Sequence, residues 1–265
     1  MKYFDYHVHS SNSFDSRLKM EDACRLAVNR GLSGLTFTEH IEFVCPGFGD
    51  IEPYRDYYIR EIKECRARFS ELTLGMGAEV GLQSCVVAEN RQAVAKGYDF
   101  VIGSVHTVDG LSVHDGSYSA GKGRFECYSG YLAAILQQVR LFSDFDVLGH
   151  IDLIRRDNCF ADRTMQYEEF KEQYDALLRE LIETGHGIEV NTAALRYDLD
   201  SMHPDLSVLK RYRALGGEII TCGSDAHLER SLGMNIREGY ELIKAAGFKY
   251  ITTFCERQAS FEKLE

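Results

Sequence analysis

The chain has 265 residues, a formal net charge of −11 at pH 7 and 45% hydrophobic residues. That hydrophobic share is typical of a globular protein and excludes a disordered one. The acidic charge argues against a long nucleic-acid footprint, because such a footprint draws on a clustered basic face. No run approaches the roughly 18 apolar residues of a membrane span, and the first residues do not resemble a signal peptide. We therefore expect a cytoplasmic protein.

Short β-rich runs alternate with amphipathic segments that stop at glycine, which is the pattern of parallel βα units. No linker or repeat divides the chain, so we expect a single domain over residues 1–265. Helices are predicted at 20–30, 167–184, 205–215 and 235–246. Strands are predicted at 3–8, 34–38, 73–78, 100–105, 146–149, 187–191 and 218–222. An eighth run, 249–254, either extends the sheet or closes the end of the barrel.

Six of the nine histidines fall at or just past the C-terminal end of a predicted strand. In a parallel barrel these ends converge on one face, where active sites lie. A single such histidine is usually a hydrogen-bonded loop residue, but six of them with carboxylates at matching places indicate a metal-ligand set. In the first strand the HxH spacing points both imidazoles to the same side. The residues are His7, His9, His40, His106, His150 and His227, with Asp5, Asp15, Glu39, Glu79, Glu189 and Asp225.

The ordered motifs of the chain resemble those of the PHP (polymerase and histidinol phosphatase) family. They are DYHVHS at 5–10, Asp15, TEH at 38–40, GAE at 77–79, GSVH at 103–106, GHID at 149–152 and GSDAH at 223–227. The resemblance implies an α/β fold, a single distorted (β/α)7 barrel with a metal site at the C-terminal ends of the strands. It also implies two or three divalent metal ions, zinc, manganese or iron. The implied ligands are His7, His9 and Asp225 for one metal, His106 and His150 for a second, Asp15, His40 and His227 for a third, and Glu79 as a bridge between the first two.

The same resemblance implies a phosphatase that hydrolyses a small phosphate monoester by attack of a metal-bridging hydroxide. Within the family, four features resemble the histidinol-phosphatase branch, which implies L-histidinol phosphate as the substrate: the early His-Val-His at 7–9, GHIDLIRR at 149–156, EVNTAALR at 189–196 and YITTFCERQ at 250–258. The expected partner is thus a small phosphorylated metabolite, with neither nucleic acid nor membrane. The expected catalytic residues are Asp225, Glu79, Arg196 and Arg156.

Arginines are the candidates for binding the phosphate, because a planar guanidinium can donate two parallel hydrogen bonds. Arg196 follows the sixth predicted strand and is the first choice. Arg156 is the second, and Arg155 and Arg163 follow the same fifth strand. The candidates for the substrate's amine or imidazole are Glu42, His114 and Asp115.

Four other classes compete with this interpretation. A PHP-type phosphodiesterase or exonuclease would need a basic or aromatic track for a nucleic-acid strand, and the chain has no block of lysine and arginine. A nucleotide phosphatase would share much of the same site. A metal-binding module without catalysis conflicts with the intact ligand set. An amidohydrolase would need a bridging lysine, and no lysine stands at a suitable strand end.

Overall fold

The computed structural model describes residues 1–45, 47–158 and 160–264. The strands are β1 Phe4–Val8, β2 Gly34–Cys45, β3 Gly49–Ile51, β4 Thr73–Gly81, β5 Phe100–Ser104, β6 Thr107–Val108, β7 Leu111–Ser112, β8 Val147–Leu148, β9 Gly187–Asn191, β10 Ile220–Gly223, β11 Tyr250–Cys255 and β12 Gln258–Lys263. The helices are α1 Met20–Asn29, α2 Arg55–Arg68, α3 Val87–Val94, α4 Arg124–Leu141, α5 Lys171–Glu183, α6 Leu206–Ala214 and α7 Ile236–Ala245.

Seven of these strands form a parallel sheet in the order β1-β2-β4-β5-β8-β9-β10. The last strand returns beside the first, where Val8 pairs with Ala226 and the His9 amide donates to the Ala226 carbonyl at 2.9 Å. The ring is therefore nearly closed. The predicted distorted (β/α)7 barrel is confirmed.

Helices cover the outside of the barrel because each has an apolar stripe that must be buried. In α5 this stripe consists of Tyr174, Leu177, Leu178 and Leu181, which have the i, i+3, i+4, i+7 spacing of one helix face. The helix ends two residues before Gly185, whose φ of 80° is the left-handed conformation that glycine adopts easily. No helix in the described ranges is both long and apolar enough to cross a bilayer.

The amino end of the barrel is filled by an apolar cluster and closed by a hairpin. Strands β11 and β12 pair antiparallel with each other and lie outside the seven-stranded sheet. The Phe254 amide donates to the Tyr6 hydroxyl at 2.8 Å, which fixes the hairpin against β1. The run at 249–254 is thus one strand of a closing hairpin. The cluster contains Phe4, Tyr6, Phe100, Ile102, Val147 and Phe254.

The strand boundaries differ from the predicted ones most in β2. A strand was expected at 34–38, but β2 continues to Cys45 and leaves the barrel to pair antiparallel with β3. His40 therefore lies inside a strand, directly opposite Glu79 of β4. This parallel register brings a histidine of one strand beside a carboxylate of the next, at the carboxyl end of the sheet.

Candidate metal centre

Glu79 of β4 lies at the centre of a buried group of imidazoles. Each of its two carboxylate oxygens faces a different set of histidines. The first oxygen, Oε2, lies 3.2 Å from His7 Nε2, 3.3 Å from His9 Nε2 and 3.2 Å from His40 Nδ1. The second, Oε1, lies 3.3 Å from His106 Nε2 and 2.8 Å from His150 Nε2.

Two further carboxylates complete the group. Asp225 Oδ1 lies 3.5 Å from His9 Nε2 and 3.7 Å from His7 Nε2. Asp15 Oδ2 lies 3.1 Å from His227 Nε2, at the more exposed edge. The structure thus brings all nine predicted ligands together. The triplets whose ligand atoms lie within 4.8 Å of one another include His7, His9 and Glu79; Glu79, His106 and His150; and His9, His40 and His227.

The inner histidines are oriented by buried hydrogen-bond acceptors behind them. Glu189 Oε1 lies 2.7 Å from His7 Nδ1, and Glu42 Oε1 lies 2.5 Å from His106 Nδ1. Because a carboxylate only accepts, each Nδ1 carries the hydrogen, and each Nε2 is left facing the centre. Such partners fix the tautomer of metal-binding histidines in general.

Pairs of ring nitrogens face each other across the centre. The distance from His7 Nε2 to His9 Nε2 is 3.1 Å, and those from His106 to His150 and from His40 to His227 are each 3.4 Å between Nε2 atoms. Two imidazole nitrogens at this distance need a cation or a proton between them. A set of imidazoles and carboxylates with this arrangement fits divalent transition metals.

The charges in the centre depend on one another. Burial alone would raise the pKa of Glu79, but His7, His106 and His40 outweigh it and hold that pKa well below the usual range. Burial also opposes protonation of His106, yet Glu42 and then Glu79 raise the pKa of its imidazole to about 10. Carboxylates that stay ionised in a buried site stabilise any cation that enters it.

Two acidic residues noted at the strand ends turn away from the centre and hold main chain instead. Asp5 accepts hydrogen bonds from the Ser224 amide and hydroxyl, at 2.8 and 2.5 Å. Glu39 accepts from the Ser10 amide at 3.1 Å and from the hydroxyls of Ser10 and Ser13 at 2.5 and 2.6 Å. Both carboxylates support the loops that carry candidate ligands.

A cavity of about 870 Å³ opens above this group at the carboxyl end of the barrel. Arg196 lines it and donates to the carbonyls of Ser224 and Asp225, at 2.7 and 2.9 Å. These two hydrogen bonds fix the guanidinium beside the cavity.

Arg156 also lines the cavity and is held from three sides. Its Nε donates to Asp157 at 2.6 Å, its Nη2 lies 2.5 Å from His114 Nδ1, and its guanidinium stands 4.6 Å from the Tyr197 ring centre. His114, predicted as a substrate contact, therefore faces the cavity with one nitrogen occupied by Arg156.

Two of the arginines predicted as substrate contacts lie outside the cavity lining. Arg155 is buried and paired with Asp152 and Asp200, at 2.9 and 2.7 Å, outside the cavity lining. Arg163 also lies outside the lining and donates to backbone carbonyls, including that of Asp198 at 3.1 Å.

The acidic candidates behave differently from each other. Asp115 is exposed and accepts from the Ser117 amide, outside the cavity lining. Glu42 borders the cavity, but its carboxylate is bound to His106. Glu42 is therefore placed to orient His106. Because one of its carboxylate oxygens accepts from His106, it has less capacity to accept a hydrogen bond from a substrate amine.

The sequence does not predict that Glu189 orients His7 or that Arg230 lines the cavity. Glu189 had been noted as an acid in the sixth strand, but nothing local indicates that it orients His7. Arg230 follows the GSDAH motif and lines the cavity with an exposed side chain. Its place shortly after a predicted strand is the only signal that sequence offers for it.

Comparisons with known proteins agree with this geometry. The PHP domain family model matches residues 5–193. A histidinol-phosphatase of Lactococcus lactis is 31% identical over 258 residues, which cover 96% of this chain and 95% of that protein. The chain therefore belongs to the PHP domain family.

Two solved structures show the same fold. A crystal structure of histidinol phosphate phosphatase from Lactococcus lactis, complexed with zinc, L-histidinol and phosphate, has a TM-score of 0.90 and 29% identity. The match covers 98% of this chain and 99% of the Lactococcus lactis chain. A structure from Listeria monocytogenes, at 18% identity, covers 89% of this chain and 99% of its own, with a TM-score of 0.72.

Proposed function

We propose that this protein is a metal-dependent phosphoric monoester hydrolase that converts L-histidinol phosphate to L-histidinol and phosphate. The observation that carries the proposal is one cavity that Glu79, with five imidazoles around its carboxylate, shares with Arg156 and Arg196. The likeness to the Lactococcus lactis enzyme, whose structure contains zinc, L-histidinol and phosphate, supports the choice of substrate.

The donor set would hold two or three divalent ions, with zinc as the first choice and manganese or iron as alternatives. In the proposed grouping, His7, His9 and Asp225 would hold one ion, His106 and His150 a second, and Asp15, His40 and His227 a third, with Glu79 shared by the first two; the distances within each group support it. When bound, neighbouring ions lower the pKa of a water molecule and neutralise charge on phosphoryl oxygens.

Side chains of the protein would position the metal ions and the phosphate. Burial would raise the pKa of Asp225, but His7 and the neighbouring histidines outweigh it and hold that pKa well below the usual range. The carboxylate therefore stays ionised and can serve as a ligand. Arg156 and Arg196 line the cavity, and a guanidinium there could bind phosphate oxygens in a planar, bidentate way. Contacts that strengthen as charge develops on the phosphoryl group accelerate its transfer.

The size of the cavity fits a small metabolite. Its volume of about 870 Å³ falls in the range of sites that bury small ligands. A nucleic-acid strand would need an extended basic groove, which neither this concave site nor the net charge of −11 favours.

A phosphate-release screen of the metal-loaded protein tests the proposal. The substrates are L-histidinol phosphate, nucleoside monophosphates, sugar phosphates and a single-stranded oligonucleotide, and the Glu79→Ala variant, purified in the same way, reports contaminating phosphatases. We expect the highest kcat/KM for L-histidinol phosphate and more than one divalent metal per chain by elemental analysis. A higher kcat/KM for a nucleotide, or release that persists in Glu79→Ala, would overturn the proposal.

A further inference from the structure

Two phenylalanines stand exposed at the mouth of the cavity. Phe14 is 48% exposed and Phe48 is 66% exposed, and both line the cavity. Their ring centres are 5.0 Å apart with the planes tilted by 55°, and the Phe14 ring centre lies 5.7 Å from that of His40. We call Phe14 and Phe48 the aromatic wall. Large apolar rings left in water next to a metal-ligand group indicate a surface that a ligand covers.

The aromatic wall lies across the barrel mouth from Arg156, the arginine that follows β8 and lines the cavity. Phe14 follows β1, and Phe48 stands in the turn between β2 and β3. Around the seven-stranded ring, β8 is three positions from β2 in one direction and four in the other. Arg156, just after β8, therefore lies on the opposite side. On that side the Arg156 guanidinium stands over the Tyr197 ring, and the aromatic wall lines the cavity on the other side.

We infer that the aromatic wall is the subsite for the imidazole ring of the substrate, and that it sets a preference for phosphate monoesters that carry a ring. The inference rests on the proposed function. With the phosphate held between the metal ligands and the arginines, the organic part of the ester extends toward the opposite side. Two tilted aromatic rings there offer an imidazole the edge-to-face or offset contacts that aromatic pairs prefer.

The test compares two substrates that share the phosphate and the amine but differ in the ring. They are L-histidinol phosphate and 2-aminoethyl phosphate, hydrolysed by the parent, Phe14→Leu, Phe48→Leu and the double variant. We expect each single change to lower the kcat/KM ratio between the two substrates by roughly 2- to 10-fold, and the double change to lower it further. Phe14 adjoins Asp15, and any effect on the metal site falls on both substrates and leaves the ratio unchanged.

Two more variants and one binding measurement make the test specific. Phe48→Tyr keeps a ring and should keep the parent's ratio. Phe261→Leu changes an equally exposed phenylalanine, 49% exposed on β12 at the other end of the barrel, and should change nothing. The dissociation constant of L-histidinol, measured by calorimetry, should rise in Phe14→Leu and Phe48→Leu by about the same factor as the ratio falls.

The outcomes separate the two claims. If the parent hydrolyses L-histidinol phosphate but the double variant keeps both its substrate ratio and its affinity for L-histidinol, the aromatic wall is not the ring subsite and the proposed function stands. If the parent does not hydrolyse L-histidinol phosphate, the proposed function and this inference both fail.

Discussion

The two ends of the barrel are built from the same strands but contain opposite chemistry. At the amino end, Phe100 and Phe254 pack with ring centres 5.0 Å apart inside an apolar cluster. At the carboxyl end, the rings of His9 and His40 stack at 4.2 Å, among carboxylates. Rings pack closely at both ends, but only the second set brings nitrogen and carboxylate oxygen atoms together as metal ligands would be. We therefore expect changes at the carboxyl end to alter metal binding and activity, and changes at the amino end to alter stability.

Strand β1 contributes side chains to both ends of the barrel and shows how the lining changes from apolar residues to metal ligands. In β1, Tyr6 belongs to the apolar cluster and His7 to the metal-ligand group, although they are neighbours in sequence. Regular alternation would send adjacent side chains to opposite faces of the sheet. The pairing of β1 with β2 shifts register between Asp5 and Val8, which is where the two residues lie. A local irregularity of this kind can redirect side chains near a site.

The largest effect is expected from Glu79→Ala. Loss of a residue that only hydrogen-bonds a metal ligand lowers metal affinity or activity by about 10- to 100-fold. Glu79 is itself shared by two ligand groups, so its loss should lower kcat/KM by more than ~1,000-fold. His227→Ala removes a ligand of one group only and should cost less. Activity and metal content per chain are measured in both variants. Equal losses in the two would contradict the bridging role of Glu79.

A smaller effect, confined to catalysis, is expected from Arg156→Ala. A charge-assisted hydrogen bond to phosphate contributes about 1.5 to 3 kcal/mol, so kcat/KM should fall roughly 10- to 150-fold. Arg196→Ala should behave similarly, and lysine at either position should restore activity only in part, because it keeps the charge and loses the planar fork. The melting temperature and metal content should stay close to the parent's.

The neighbouring residue supplies the contrast for this prediction. Arg155→Ala leaves the buried Asp152 without one of its partners and should lower thermal stability. If Arg155→Ala were stable but slow, and Arg156→Ala unstable but active, the two roles would be reversed.

A third change tests the support behind the ligands. Glu189→Gln keeps the size of the side chain but removes the charge that faces His7 Nδ1. We expect roughly a 10- to 100-fold loss of metal affinity, measured by competition with a chelator, and a loss of kcat/KM that excess zinc partly restores. Glu262→Gln, on the exposed surface of β12, is the matched control. Unchanged metal affinity in Glu189→Gln would show that the charge of Glu189 does not support His7 as a metal ligand.

The sequence predicts the strands of the barrel well because each β-rich run is encoded locally. It predicts α1, α5, α6 and α7 from amphipathic segments that stop at glycine, but not α2, α3 or α4; the residues that cap the ends of α2 and α4 are Phe69 and Phe142. The ligand positions are predicted for a related reason, since parallel strands share one carboxyl end. Whether the nine residues bind metal stays a prediction, and the structure shows that they meet.

What the sequence does not predict depends on distant partners. Arg155 and Arg156 are adjacent, but a short 3₁₀ segment ends between them, and one is buried while the other reaches the cavity. Glu189 acquires its role from His7, 182 positions away in the chain. The run at 249–254 has the composition of a barrel strand, and only its pairing with β12 shows that it closes the amino end.

The smallest effect is expected at that amino end, and it should appear in stability alone. Phe254→Leu removes two aromatic contacts, with Phe100 at 5.0 Å and with Tyr6 at 6.5 Å between ring centres, while leaving an apolar side chain in place. An aromatic pair contributes about 0.5 to 1.5 kcal/mol beyond its buried area, so the free energy of unfolding should fall by about 1 to 2 kcal/mol in a denaturant titration. The kcat/KM for L-histidinol phosphate and the metal content should match the parent's, because the hairpin lies at the opposite end of the barrel from the ligands. A loss of metal from Phe254→Leu would mean that the two ends are coupled through β1, where Tyr6 and His7 stand side by side.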